Sequence, residues 1–200
     1  MSVIVKRHQL LVLLAALLLP NGASAWSLNL IKQDKGNVLL GFVGGIAAHE
    51  LGHISLATLK DTDVEFDRLS ITYPDPNLSD QDLLELSSVG FQIQWIASEL
   101  AFLYLADENT PARIRNRAAG VVLSHLAITA AYMVFLKNDR NGDIDGMSRV
   151  TGISNDRLLL AVSVPAVLDG WRLLGHAVPK WVPTASIMSK GIGITWVWTY

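Results

Sequence analysis

The string His49-Glu50-Leu51-Gly52-His53 is an instance of H-E-x-x-H. It sits inside an apolar stretch, Val38 to Leu59, in which His49, Glu50 and His53 are the only ionisable side chains. The stretch is of membrane-spanning length. On a helix, His49 and His53 lie one turn apart on the same face, so both imidazoles can reach one metal ion. Glu50 is the neighbouring residue, placed to take a proton from a water that such a metal activates. Three ionisable groups in an apolar helix of this length are costly to bury in lipid and therefore need a partner or a function.

Composition points the same way. Half of the 200 residues are hydrophobic, 17% are charged, and mean hydropathy is +0.34. These values suit a small polytopic membrane protein better than a soluble one, and the length suits one domain. A net charge of −2 and the lack of a basic cluster with interleaved aromatics argue against a nucleic-acid partner. With no cysteine, disulfides, thiolate metal sites and a cysteine nucleophile are excluded, so a metal here must use His, Asp or Glu. Residues 1–25 read as an export signal. Lys6 and Arg7 form a positive start, Leu10 to Leu19 an apolar core, and Ala23-Ser24-Ala25 a cleavage site. An uncleaved anchor is the alternative. Either reading places the chain in a bacterial cell envelope, as a multi-pass protein of the inner (cytoplasmic) membrane.

The expected fold is an all-α membrane protein with about four apolar helices after the signal and a small β element near 64–73. The glycines of the first helix, Gly41, Gly44, Gly45 and Gly52, allow close helix packing. Val64, Phe66, Ile71 and Tyr73 alternate enough to predict a strand or hairpin, ended by Pro74 and Pro76. Ser79, with Asp82 three residues on, predicts a helix start. Later apolar stretches run over Val89–Ala106, Ala118–Leu136 and Leu158–Val178. The tail, with Trp181, Trp196 and Trp198, suits a membrane interface. If every stretch crosses, Arg113, Arg115 and Arg117 fall outside, against the positive-inside tendency. A HELGH segment that is re-entrant, or does not cross fully, returns them to the inside and is the favoured arrangement.

A catalytic zinc needs a third protein ligand and an open position. Glu85 and Glu99 are available. Asp169, an acid in an apolar helix with Pro165 one turn earlier, is the better candidate, because proline bends a helix and can aim a carboxylate inward. His176 lies close to the same helical face as Asp169 and reads as a supporting group. Arg172 reads as an interfacial arginine, and His125 as a lone histidine bonded to backbone. Gln92, Gln94 and Glu99 suit either a wet cavity or bonds between helices. Asn141-Gly142-Asp143-Ile144-Asp145-Gly146 has the start of a calcium loop. Position twelve is Gly152 where glutamate is required, so it reads as a polar turn.

HELGH in one apolar segment and Leu168-Asp169-Gly170 in a late one resemble the site-2 protease family of intramembrane zinc metalloproteases. The resemblance implies Zn²⁺ held by His49, His53 and Asp169, with Glu50 as catalytic base. It implies a membrane-embedded protease domain over 26–200 that cuts membrane-protein or peptide substrates. Two other readings stand beside it: an envelope metallopeptidase with a glutamate as third ligand, and a non-catalytic metal-binding membrane scaffold.

Overall fold

The computed structural model describes residues 34–67, 70–75, 77–175 and 177–200. The signal segment 1–25 and His176 lie outside the described residues. Six helices and one hairpin follow in chain order: α1 Lys35–Leu59, β1 Glu65–Asp67, β2 Ser70–Thr72, α2 Asp80–Ala106, α3 Ala112–Ala131, α4 Asp143–Thr151, α5 Asn155–Leu174 and α6 Trp181–Thr199. A π-helical turn, Tyr132–Leu136, extends α3.

Three of these helices are long and apolar enough to cross a membrane: α1, α2, and α3 with its π-turn. The fourth predicted stretch forms α5, which carries Asp156, Arg157, Asp169 and Arg172 and falls outside that set. The tryptophan-rich tail forms α6. It packs against α5 and α2 and buries Ser186 and Lys190. The hairpin falls where alternation predicts it. The two strands are antiparallel, with Phe66 opposite Ile71.

Helix α1 is apolar all round. Val38, Gly41, Gly45, His49, Gly52, His53 and Ala57 form its buried face, at helical spacing. Leu39, Leu40, Val43, Leu51 and Leu59 are exposed on the rest. An apolar helix that needs an apolar surrounding on both sides is what a bilayer supplies. Asp34 caps it, accepting from the Asn37 backbone N–H at 3.2 Å. Ser79 caps α2, accepting from the Asp82 N–H at 3.1 Å.

Glycine fixes the helix crossings. A Cβ at Gly41 would collide with the Arg117 carbonyl, one at Gly120 with the Val38 carbonyl, and one at Gly45 with the Ser124 hydroxyl. Asn37 and Gly41 of α1 thus meet Arg117 of α3, and Gly45 meets Ser124 further on, so the two helices run parallel. Gly52 meets Val89 and Ile93, and Lys60 pairs with Asp82 and Glu85, so α2 runs antiparallel to α1 and packs against both helices. The HELGH segment, expected to be re-entrant or to stop short of a full crossing, has no break in its backbone. Its backbone is one unbroken 25-residue helix, about 37 Å long, and its glycines serve packing rather than a break. Lys35, Arg113, Arg115 and Arg117 share one end of the bundle; the hairpin and α4 share the other.

Candidate metal centre

His49 and His53 stand in the C-terminal half of α1, 3% and 2% exposed. Opposite them is Asp143, the first residue of α4. The His49 Nε2 lies 3.2 Å from Asp143 Oδ2, the His53 Nε2 lies 3.4 Å from Oδ1, and the two Nε2 atoms are 3.4 Å apart. A tetrahedral zinc with bonds of 2.0–2.1 Å separates its ligand atoms by about 3.3 Å. The two imidazole nitrogens have that spacing, and each faces one oxygen of the same carboxylate at a similar distance; one ligand atom from each of the three residues lies within 4.8 Å of the others. His49, His53 and Asp143 form the one cluster of potential metal ligands found among the described residues.

The surroundings fit a cation. On the far side of the His53 ring, Nδ1 lies 2.9 Å from the Leu86 carbonyl and 2.8 Å from the Tyr73 hydroxyl. A carbonyl can only accept, so Nδ1 carries the proton and Nε2 presents its lone pair to the site. A ligating histidine needs this arrangement. Asp143 Oδ2 is buried and faces the His49 ring nitrogen 3.2 Å away. Two imidazole lone pairs and a carboxylate converging on one point repel one another unless a positive charge sits between them. In the metal-free protein a proton among these groups would do the same. Burial works to raise the Asp143 carboxyl, but the charge of His53 and the hydrogen bonds of His49 and His53 outweigh it and hold the group below the usual carboxylate range.

Gly90 of α2 forms the floor. A Cβ built there would fall 2.5 Å from the Nε2 atoms of both His49 and His53. Gly90→Ala is therefore expected to weaken metal binding by on the order of 100-fold, the upper range for disturbing the support of a ligand. Titration of the purified variant with zinc against a chelator checks this; an unchanged affinity would mean the floor is not where the structure has it.

Asp143 is held by the chain on both sides. The π-turn, a form frequent at functional sites, ends at Leu136. The following loop is pinned by the Asn155 side-chain amide donating to the Lys137 carbonyl at 2.7 Å and by the Lys137–Asp156 ion pair at 2.6 Å. Within α4, Gly146 lets the helix sit against Ser87 of α2, where a Cβ would collide with the hydroxyl. Phe91 contacts the His49 ring edge-on with centroids 5.7 Å apart, and packs on Tyr132 at 5.1 Å. A cleft of about 260 Å³, lined by Ile71, Thr72, Tyr73, Asn141, Asp143 and Arg149, opens the site at the hairpin end.

Asp169 is elsewhere. It is fully buried and bonded to Lys190 at 2.6 Å, to the Ser186 hydroxyl at 2.6 Å, to Arg172 at 3.2 Å and to the His125 Nδ1 at 3.1 Å. Glu99 joins the same cluster, 2.5 Å from both Arg172 and Lys190. Glu85 is bound to Lys60 at 2.6 Å and accepts from the Gln81 amide at 2.8 Å. So the structure brings His49 and His53 together with Asp143, and engages Asp169, Glu99 and Glu85 with cations. Arg172 is not an interfacial arginine: it is 5% exposed and stacks 3.6 Å above the Phe102 ring. His125 bonds a carboxylate rather than backbone. Asp143 escaped the sequence reading because it sits in the calcium-like string. Its only signal was an acid at the foot of an apolar segment.

No known protein family, curated protein or solved structure matches this chain. The geometry of the site carries the functional argument.

Proposed function

We propose that the protein is a zinc-dependent peptidase of the bacterial inner membrane, with His49, His53 and Asp143 as metal ligands and Glu50 as general base. The observation that supports it most is the convergence of His49, His53 and Asp143, whose ligand atoms lie within 4.8 Å of one another, joined to an H-E-x-x-H helix that supplies the base. Zinc, when bound, lowers the pKa of a water to about 7 and polarises a carbonyl. Glu50 follows His49 in the helix and is half-buried. Glu50 would accept the proton of the attacking water and return it to the leaving amine. This is acid–base work of a kind worth 10²–10⁴-fold in rate.

The cleft supports a peptide rather than a small substrate. One wall is β2, a strand of a two-stranded sheet, and an extended backbone can pair with such an edge. The apolar helices support a substrate that is itself membrane-associated, in keeping with the resemblance to site-2 proteases. The ligand set departs from that resemblance in taking its carboxylate from α4 rather than from the Leu168-Asp169-Gly170 segment.

The test is hydrolysis of a quenched-fluorescence peptide library by detergent-purified protein, wild type beside Glu50→Gln. Glu50→Gln is expected to keep about one zinc per chain and lose at least ~100-fold in rate. Equal rates in the two proteins, or none in zinc-loaded wild type, would leave a metal-binding scaffold as the function.

A further inference from the structure

Tyr73 directly follows strand β2 and is half-buried. Its hydroxyl lies 2.8 Å from the His53 Nδ1 and donates to the Leu86 carbonyl at 3.3 Å; Nδ1 donates to that same carbonyl at 2.9 Å. The three groups form a closed triangle on the side of the imidazole facing away from Asp143. Two of its corners, His53 on α1 and Leu86 on α2, belong to the bundle. The third belongs to the hairpin. Ile71, two residues before Tyr73, is the buried residue of β2, while Phe66 across the sheet is 72% exposed. The hairpin thus rests on the bundle through Ile71 and reaches the ligand through Tyr73.

We propose that Tyr73 is a positioning residue through which the hairpin sets the metal affinity of His53, so that seating of the hairpin and binding of the metal reinforce one another. The inference rests on the metal-site reading above. Its physical basis is twofold. Partners of the non-ligating ring nitrogen fix the tautomer and aim of a ligand, and losing one costs 10–100-fold in metal affinity. Coupling between two events is reciprocal, so whatever fixes the metal also fixes the hairpin. Because β2 and Tyr73 line the cleft, a peptide lying along β2 would press on the residue that orients the ligand.

The experiment is zinc titration against a chelator for wild type, Tyr73→Phe, Ile71→Asp and the double variant. Thermal midpoints of the metal-free proteins and the visible spectrum of bound Co²⁺ accompany it. Tyr73→Phe keeps the ring and is expected to weaken zinc about 10-fold and shift the Co²⁺ bands, with the metal-free midpoint unchanged. Ile71→Asp, which lifts the hairpin, should weaken zinc to a similar extent. The double variant should be no weaker than the worse single one, since both act through one contact. Wild-type affinity and an unshifted Co²⁺ spectrum in Tyr73→Phe would overturn the role of Tyr73. Wild-type affinity in Ile71→Asp, or full additivity, would overturn the coupling to the hairpin. Zinc absent from the wild type would overturn the metal site itself, and this inference with it.

Discussion

Asp143→Ala is expected to bring zinc from about one per chain to near zero, while Asp169→Ala leaves it in place. The two acids have opposite surroundings. Each carboxylate oxygen of Asp143 faces an imidazole nitrogen at 3.2–3.4 Å. Without it two neutral histidines remain, one short of the three protein ligands that catalytic zinc sites use. Asp169 is committed to Lys190, Arg172, Ser186 and His125. A metal would have to displace at least one of these cations to reach it. Elemental analysis of the detergent-purified variants decides the matter. Zinc lost from Asp169→Ala and kept by Asp143→Ala would move the third ligand to α5.

Lys190→Met is expected to destabilise the protein by about 3–5 kcal/mol, the usual cost of leaving a buried charge without its partner. Lys190 is fully buried and is the shared cation of Glu99 and Asp169, at 2.5 and 2.6 Å, with the Ser98 hydroxyl at 2.8 Å. Arg172 is left to face both carboxylates alone. The network joins α2, α3, α5 and α6, so its loss is felt across the bundle. Reversible unfolding in mixed detergent measures the change, and zinc content of the folded fraction should stay at about one per chain. A loss under about 1 kcal/mol would mean that the cluster is wet or loosely held.

These two variants also show how far the sequence could be read. The H-E-x-x-H helix, the hairpin at Glu65–Thr72 and the Ser79 cap are local patterns: each depends on residues within a turn or two, and each is found where its pattern lies. Asp169 was singled out because an acid in an apolar helix needs a partner. That need is real, but the chain does not state who meets it. The answer is Lys190, in a segment whose tryptophans suggested an interface. Asp143 is the converse case. It lies far from the histidines in sequence, in a string that resembles the start of a calcium loop, and only the packing of α4 on α2, through Gly146 and Ser87, carries it to them. The glycine at 90 looks like any other helix glycine until the histidines are seen above it. Long-range pairing, not local propensity, is what the sequence withheld.

The closed back of α1 has a further consequence for the living cell. Its outer face is a ridge of exposed leucines and Val43, its inner face is sealed by α2 and by Gly90, and the cleft beside Asp143 opens at the hairpin end. With α1 in a bilayer, an ion held as proposed would be reached through the cleft at the hairpin end. The compartment that bathes the hairpin would then set the occupancy of the centre through its own metal supply and acidity. A chelator confined to the opposite side would leave a loaded protein untouched.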